Sequence, residues 1–224
     1  MSLINKPHIW ITVLFIMLLL GIQSIQAQII KGYTALGFNM AQVDGDEVYG
    51  YKKYLGNIAA GVMVPFGEKW HVSLETNFTQ KGAKGQPSRI IEEYDHYNLR
   101  LDYLEVPVLL HFTDKDFITA GLGFSWGRLV GIKELEDSEN TGVGINDNIF
   151  GINDYAVILD LRLPIYQRLK FNFRFQYSMA EFREREYTNM AGFTRTRNYY
   201  NNLLTFRLIY IFNEDLSNIR PRNP

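Results

Sequence analysis

Residues 123–127 read Gly-Phe-Ser-Trp-Gly, the letters of a nucleophile elbow. That elbow needs a sharp strand-to-helix turn, a downstream acid and then a histidine. Here the five residues lie inside a strictly alternating segment, and no histidine follows Ser125. His71, His96 and His111 all precede it, two beside short turns and one in a loop. A barrel lipase or deacylase would need a Ser–His pair near the lipid boundary, and with the histidines at these places no enzyme is expected. Gly123 and Gly127 read instead as small inward residues that leave room for long side chains from other strands. The chain has no cysteine, which excludes thiolate metal sites, a thiol nucleophile, disulfides and a lipid-modified N-terminal cysteine. Glu134, Glu136, Asp137, Glu139 and Asp147 form an acidic run without the regular spacing of a calcium loop. A solvated loop is expected there, with no metal and no cofactor. Arg183, Arg185, Arg195 and Arg197 are interleaved with Glu181, Glu184 and Glu186. They read as a surface ion-pair mixture, the alternative being a site for lipopolysaccharide phosphates.

The remaining charges have a pattern of their own. Residues 169–179 alternate without fault, with Leu, Phe, Phe, Phe, Tyr and Met on one parity and Lys, Asn, Arg, Gln and Ser on the other. A strand has side-chain period two, so one face is apolar and the other polar. The same pattern recurs along the chain and predicts an all-β fold: an eight-stranded antiparallel up-and-down transmembrane β-barrel, apolar outside and charged inside. The strands are expected at about 30–40, 54–66, 70–80, 98–112, 117–128, 153–165, 169–182 and 199–212. Their connections alternate long and short, the long ones being 41–53, 81–97, 131–151 and 183–198. Such barrels have short periplasmic turns and long external loops, which puts both termini in the periplasm. In the fourth strand the apolar parity switches near Tyr103-Leu104. Leu99, Leu101 and Tyr103 would share the lipid face with Leu104, Val106 and Val108 if one extra residue formed a β-bulge.

This phase places Glu75, Arg100, Asp102, Glu105, His111, Asp160, Arg162, Lys170, Arg174 and Arg207 inside, with Lys31 at the margin. An eight-stranded interior is just wide enough for side chains to fill. Glu75, Asp102, Glu105 and Asp160 are therefore expected to pair with Arg100, Arg162, Arg174 and Arg207 in a structural charge network, the alternative being a gated ion path or proton relay. Aromatics make up 14% of the chain and gather at strand ends in two belts. Phe66, Trp70, Phe112, Phe117, Tyr166, Phe171 and Phe212 lie beside short turns, and Tyr54, Phe78, Trp126, Phe182, Tyr199 and Tyr200 beside long loops.

At the N-terminus Lys6, the apolar run Ile9–Ile22 and a small residue at Ala27 predict a secretory signal over 1–27, cleaved after Ala27. The run is shorter than the roughly 20 residues of a spanning helix. The barrel is expected over 28–212, and 213–224 as a polar periplasmic tail. A net charge of -1 offers no basic field for nucleic acid.

Several stretches carry a resemblance. They are Gly56-Asn57-Ile58-Ala59-Ala60-Gly61, Asn77-Phe78-Thr79-Gln80-Lys81-Gly82, Tyr103-Leu104-Glu105-Val106-Pro107-Val108-Leu109-Leu110 and Ala120-Gly121-Leu122-Gly123. In this order they resemble the PorT-like outer-membrane β-barrel family of Bacteroidota over essentially all of the mature chain. The resemblance implies a small outer-membrane barrel and supplies no active site. Two functions stay open: a structural or accessory subunit acting through its loops or periplasmic rim, and a narrow pore or transporter for small solutes. The expected partners are outer-membrane lipid, lipopolysaccharide and other outer-membrane or periplasmic proteins.

Overall fold

The computed structural model describes residues 30–46, 48, 50–85, 96–114, 117–188, 194–212 and 214. Residues 1–27, expected as a signal, and nearly all of 213–224, expected as a tail, lie outside them. The strands are β1 (Lys31–Asp44), β2 (Lys53–Phe66), β3 (Trp70–Gly85), β4 (Tyr97–Asp114), β5 (Ile118–Glu136), β6 (Glu139–Asn140), β7 (Asn153–Tyr166), β8 (Leu169–Ser178), β9 (Arg183–Thr188) and β10 (Thr194–Ile211). All pairings are antiparallel. Neighbours follow chain order from β1 to β5, then β7, β8 and β10, and β10 pairs back with β1 to close the ring. Two short strands are additions: β6 folds back on the end of β5, and β9 pairs with the upper part of β10. The ring is thus built of eight long strands. Its short turns are tight: Gly67 and Gln167 take φ of 76° and 33°, the left-handed region such turns use.

The outer surface carries the apolar parity. Leu36 is 66% exposed and Phe124 63%, and Leu74, Val108, Leu122 and Leu159 are exposed with them. A water-soluble sheet would bury such a band; in hydrocarbon it is the solvated face. Inside, small residues seat large ones. A Cβ on Gly121 would stand 2.3 Å from the His111 ring, and one on Gly127 3.0 Å from the Glu105 stem. Gly123, Ser125 and Gly127 are therefore lumen-wall residues of β5, and Ser125 accepts a hydrogen bond from Gln176 at 3.2 Å.

The strands run further than expected at the end with the long connections, and there the polarity inverts. On β4 the outward row changes from Leu104, Val106 and Val108 to Asp102, Arg100 and Asn98, while Leu99, Leu101 and Tyr103 are completely buried inside. Similar changes occur from Phe78 to Gln80 on β3, Trp126 to Arg128 on β5 and Tyr155 to Asn153 on β7. Above this level the outer face meets water, so the extension packs like a soluble barrel. The expected phase switch in β4 is corrected accordingly: β4 alternates without interruption, and its apolar residues change sides because the surroundings change. A bulge does occur at this height, but on β5, where Val130 is the extra residue between the pairs Asp102–Gly131 and Tyr103–Leu129. Phe182 and Tyr199, expected in the external belt, are also buried inside.

Variants along β4 test this inversion in urea-unfolding measurements in lipid vesicles. Val108→Arg should cost about 2–4 kcal/mol, the usual cost at the bilayer midplane. Asn98→Asp, a charge on the same row but above the band, should be neutral or slightly stabilising, because the position meets water and keeps an acceptor for Lys53. Leu101→Ala should cost about 2–5 kcal/mol as a core truncation. A penalty for Asn98→Asp equal to that of Val108→Arg would refute the boundary.

Candidate functional site

The barrel interior is layered along its axis. At its centre, Glu75 of β3 accepts hydrogen bonds from Arg174 Nη1 at 3.0 Å, Arg207 Nη1 at 2.7 Å and the Tyr33 hydroxyl at 2.9 Å. Asp160 of β7 accepts from Arg162 Nε, Arg174 Nε and Asn172 Nδ2, each at 2.9 Å. Arg207 Nε donates to Asn172 Oδ1 at 2.9 Å, and Arg162 stacks over the Tyr33 ring. These charged side chains are essentially without exposed surface. Arg174 bridges both carboxylates and so joins three strands through one planar fork, a geometry that lysine could not reproduce.

One layer higher, Lys81 lies between Glu105 at 2.6 Å and Asp154 at 2.5 Å, with its ammonium 4.9 Å from the centre of the Tyr103 ring. Gln176 donates to Glu105 at 3.0 Å, and Ser178 to Asp154 at 2.9 Å. The lower layer has three guanidiniums and two carboxylates, and the upper has one ammonium and two carboxylates. Each layer is off balance by one charge, and together they are neutral. This matters because an uncompensated buried charge is costly.

Glu75, Asp160, Arg162, Arg174 and Arg207 thus come together. Glu105 is buried too, but its cation is Lys81. Arg100 and Asp102 are corrected: they lie on the outward row of β4 and bind each other at 3.3 Å. They stand above the inversion, where the lumen-facing positions of β4 are apolar. Lys170 faces inward near the short-turn rim and binds Glu214 at 3.1 Å. Lys81 and Asp154 were missed. Lys81 shares the parity of Glu75, Asn77 and Thr79, so carrying β3 a few residues past Gln80 would have revealed it. Asp154 lay on the lumen parity of a predicted strand, two residues before Ala156.

Apolar layers lie on either side. Toward the long connections, Leu99, Leu101, Tyr103, Leu129, Phe150 and Phe182 pack in one buried cluster. Toward the short turns, Tyr33, Ala35, Ala59, Met63, Ile209 and Ile211 form another. Above the upper layer, Arg183 of β9 binds Glu134 at 2.5 Å and stacks over Phe150 at 4.8 Å, and Arg185 binds Glu136 at 3.2 Å. Burial opposes the Arg183 charge, but the Glu134 carboxylate outweighs it and holds the guanidinium above its ordinary pKa. Two acids of the expected solvated loop are therefore strand residues of β5, locked to β9.

One constellation has the residue types of a hydrolytic relay. Ser73 Oγ stands 3.5 Å from His111 Nδ1, and His111 Nε2 is 3.1 Å from Asp160 Oδ1. Asp160 is already bound by two arginines and Asn172, which offset the charge that would stabilise an imidazolium. Ser73 has no exposed surface through which a substrate could reach it. The contacts fix the His111 ring, which stacks on His71 at 4.6 Å.

A closed antiparallel ring with an apolar exterior and a charged lumen defines the class of transmembrane outer-membrane β-barrels. The chain belongs to the family described as outer membrane protein beta-barrel domain, whose model matches residues 27–184. Its place is the outer membrane. Among solved structures it is similar to Neisserial surface protein A, NspA, at 7% identity over 82% of this chain and 97% of that one, with a TM-score of 0.48. It is similar to a major outer membrane protein from Thermus thermophilus at 10% identity, over 84% and 100%, with a TM-score of 0.47. It is also similar to Ail, the attachment invasion locus protein of Yersinia pestis, in complex with the heparin analogue sucrose octasulfate. That match has 13% identity over 82% and 99%, with a TM-score of 0.45. No curated protein matches the chain in sequence.

Stability measurements separate the corrected network from the expected one. Lys81→Ala leaves Glu105 and Asp154 without their shared cation and should cost about 3–5 kcal/mol, as removal of one buried partner does. Arg100→Ala, in zwitterionic vesicles, should change stability by no more than about 1 kcal/mol, as for an exposed pair. The reverse ranking would restore Arg100 to the lumen.

Proposed function

We propose that this barrel is a closed structural or accessory subunit of the outer membrane, working through its external extensions or periplasmic rim. The observation that carries the reading is the Glu75–Arg174–Asp160 bridge with Arg207 and Arg162, enclosed between two buried apolar layers. A solute would have to separate several mutually neutralising charges and then cross packed hydrocarbon. The extensions are themselves built for display: β9 and the ends of β5 and β10 stand above the lipid band, tied by Arg183–Glu134 and Arg185–Glu136. The finer family reading, PorT-like barrels of Bacteroidota, is carried by the Tyr103–Leu110 and Phe78–Gly82 stretches and agrees with such a role. The periplasmic rim and the loops are the places for protein partners.

Planar-bilayer recording tests the closed lumen. The wild-type barrel should show little or no steady conductance. Arg174→Ala, which leaves Glu75 and Asp160 short of a shared cation, should lower stability and raise leak events. A large, stable wild-type conductance would overturn the closed reading in favour of a pore or transporter for small solutes.

A further inference from the structure

Two features of the outer surface meet on β2, β3 and β4. The first is a group of cations above the lipid band. Arg100 of β4 faces outward beside Lys133 of β5, its cross-strand partner. Lys84 of β3 faces outward beside Asn98, and Lys53 at the end of β2 donates to the Asn98 side-chain carbonyl. Lys84, Arg100 and Lys133 all lie close enough to Lys53 to act on its charge. Among the described residues on these outward rows above the lipid band, the one carboxylate is Asp102, which binds Arg100 and accepts from Gln80 at 2.9 Å. Like charges brought together from four strands repel, and no described carboxylate is bonded to Lys84 or Lys133. An external anion would relieve that repulsion.

The second feature is a groove of about 560 Å³ in the lipid-facing surface below these cations. Its floor is Thr34, Ala60 and Thr76, side by side on β1, β2 and β3. Ile58, Phe78 and Leu104 wall it on the external side. Leu104 and Arg100 are four residues apart on one face of β4, so the groove wall and the cations are separated by about 13 Å, at ~3.3 Å per residue. A polyvalent anion and a hydrocarbon chain at that separation describe a single kind of molecule. The cations lie at the end with the long connections, which faces outward from the cell.

We propose that this face binds a lipid of the outer leaflet whose headgroup carries phosphate monoesters, with the phosphates on Arg100, Lys84 and Lys133 and an acyl chain in the Thr34–Ala60–Thr76 groove. Phosphate suits the cations because a guanidinium binds it through two parallel hydrogen bonds while the ammoniums add point charge. The acyl chain suits the groove because small side chains between large ones leave a channel that hydrocarbon fills. The proposal rests on the outer-membrane position of the barrel and is independent of whether its lumen conducts.

Binding of bis-phosphorylated lipid A to the full barrel in zwitterionic nanodiscs tests it. The comparison probes are the same lipid dephosphorylated, phosphatidylglycerol, and inorganic phosphate as competitor. Lipid A should bind in a salt-sensitive manner, and Arg100→Gln with Lys133→Gln should weaken it at least tenfold while leaving heat-modifiable migration unchanged. Ala60→Trp, which fills the groove, should weaken it as well. Equal binding of dephosphorylated lipid would reduce the site to its groove and refute the phosphate assignment. Equal binding of phosphatidylglycerol would refute the monoester, and full competition by millimolar inorganic phosphate would make free phosphate the ligand. Unchanged affinity in the double variant would overturn the proposal, while a conducting barrel would leave it intact.

Discussion

The carboxylates of Glu75 and Asp160 must be neutralised inside a ring that lipid surrounds, and the architecture follows from that requirement. Hydrocarbon leaves no backbone group unpaired, so the sheet closes on itself through β1 and β10. It also leaves no place outside for a charge. Whatever polar chemistry the strands carry is turned inward, into a space that side chains must fill. Arg174 and Arg207 reach Glu75 across 99 and 132 residues of chain, so one carboxylate fixes the relative height of strands that are far apart in sequence. A slip of one residue in any of them would turn its charge toward lipid.

The same constraint, released at the membrane surface, explains the upper half. Once the outer face meets water, an apolar row gains nothing by pointing out. Leu99, Leu101 and Tyr103 turn inward on an unbroken strand, joined by Phe150 and Phe182 from connections above the band. The result is one continuous sheet with two solvents: a membrane barrel below and a soluble one above. The hydrophobic cluster of the soluble part lies directly over the charges of the membrane part, which keeps bulk water from the Lys81 layer. In that dry setting the Glu105–Lys81–Asp154 contacts are strong electrostatically, and equally costly if broken.

A lumen occupied in this way shifts attention to surfaces. The β9–β10 hairpin and the end of β5 form an external rim stiffened by Arg–Glu pairs. The cationic face of β3, β4 and β5 stands over a lipid-side groove. These surfaces differ in chemistry: among the described residues, the first pairs its arginines with glutamates, while the second carries more cations than carboxylates.

Period-two alternation and turn spacing determined the ring, its eight long strands and, within the hydrocarbon layer, which face of each meets lipid. They placed Glu75, Glu105, Asp160, Arg162, Arg174 and Arg207 on the lumen side, because parity is a local property of a strand. Partners and heights are not local. Whether Glu105 meets an arginine or Lys81 depends on strand register, which is set by pairings between distant segments. Arg100 and Asp102 were misread because the rule "polar means inside" holds only within the hydrocarbon layer. The sequence of β4 marks that height by the parity switch at Tyr103-Leu104, but a strand read alone cannot tell a change of surroundings from a bulge. Only the assembled barrel fixes that height, since the boundary belongs to all eight strands together and to none of them alone.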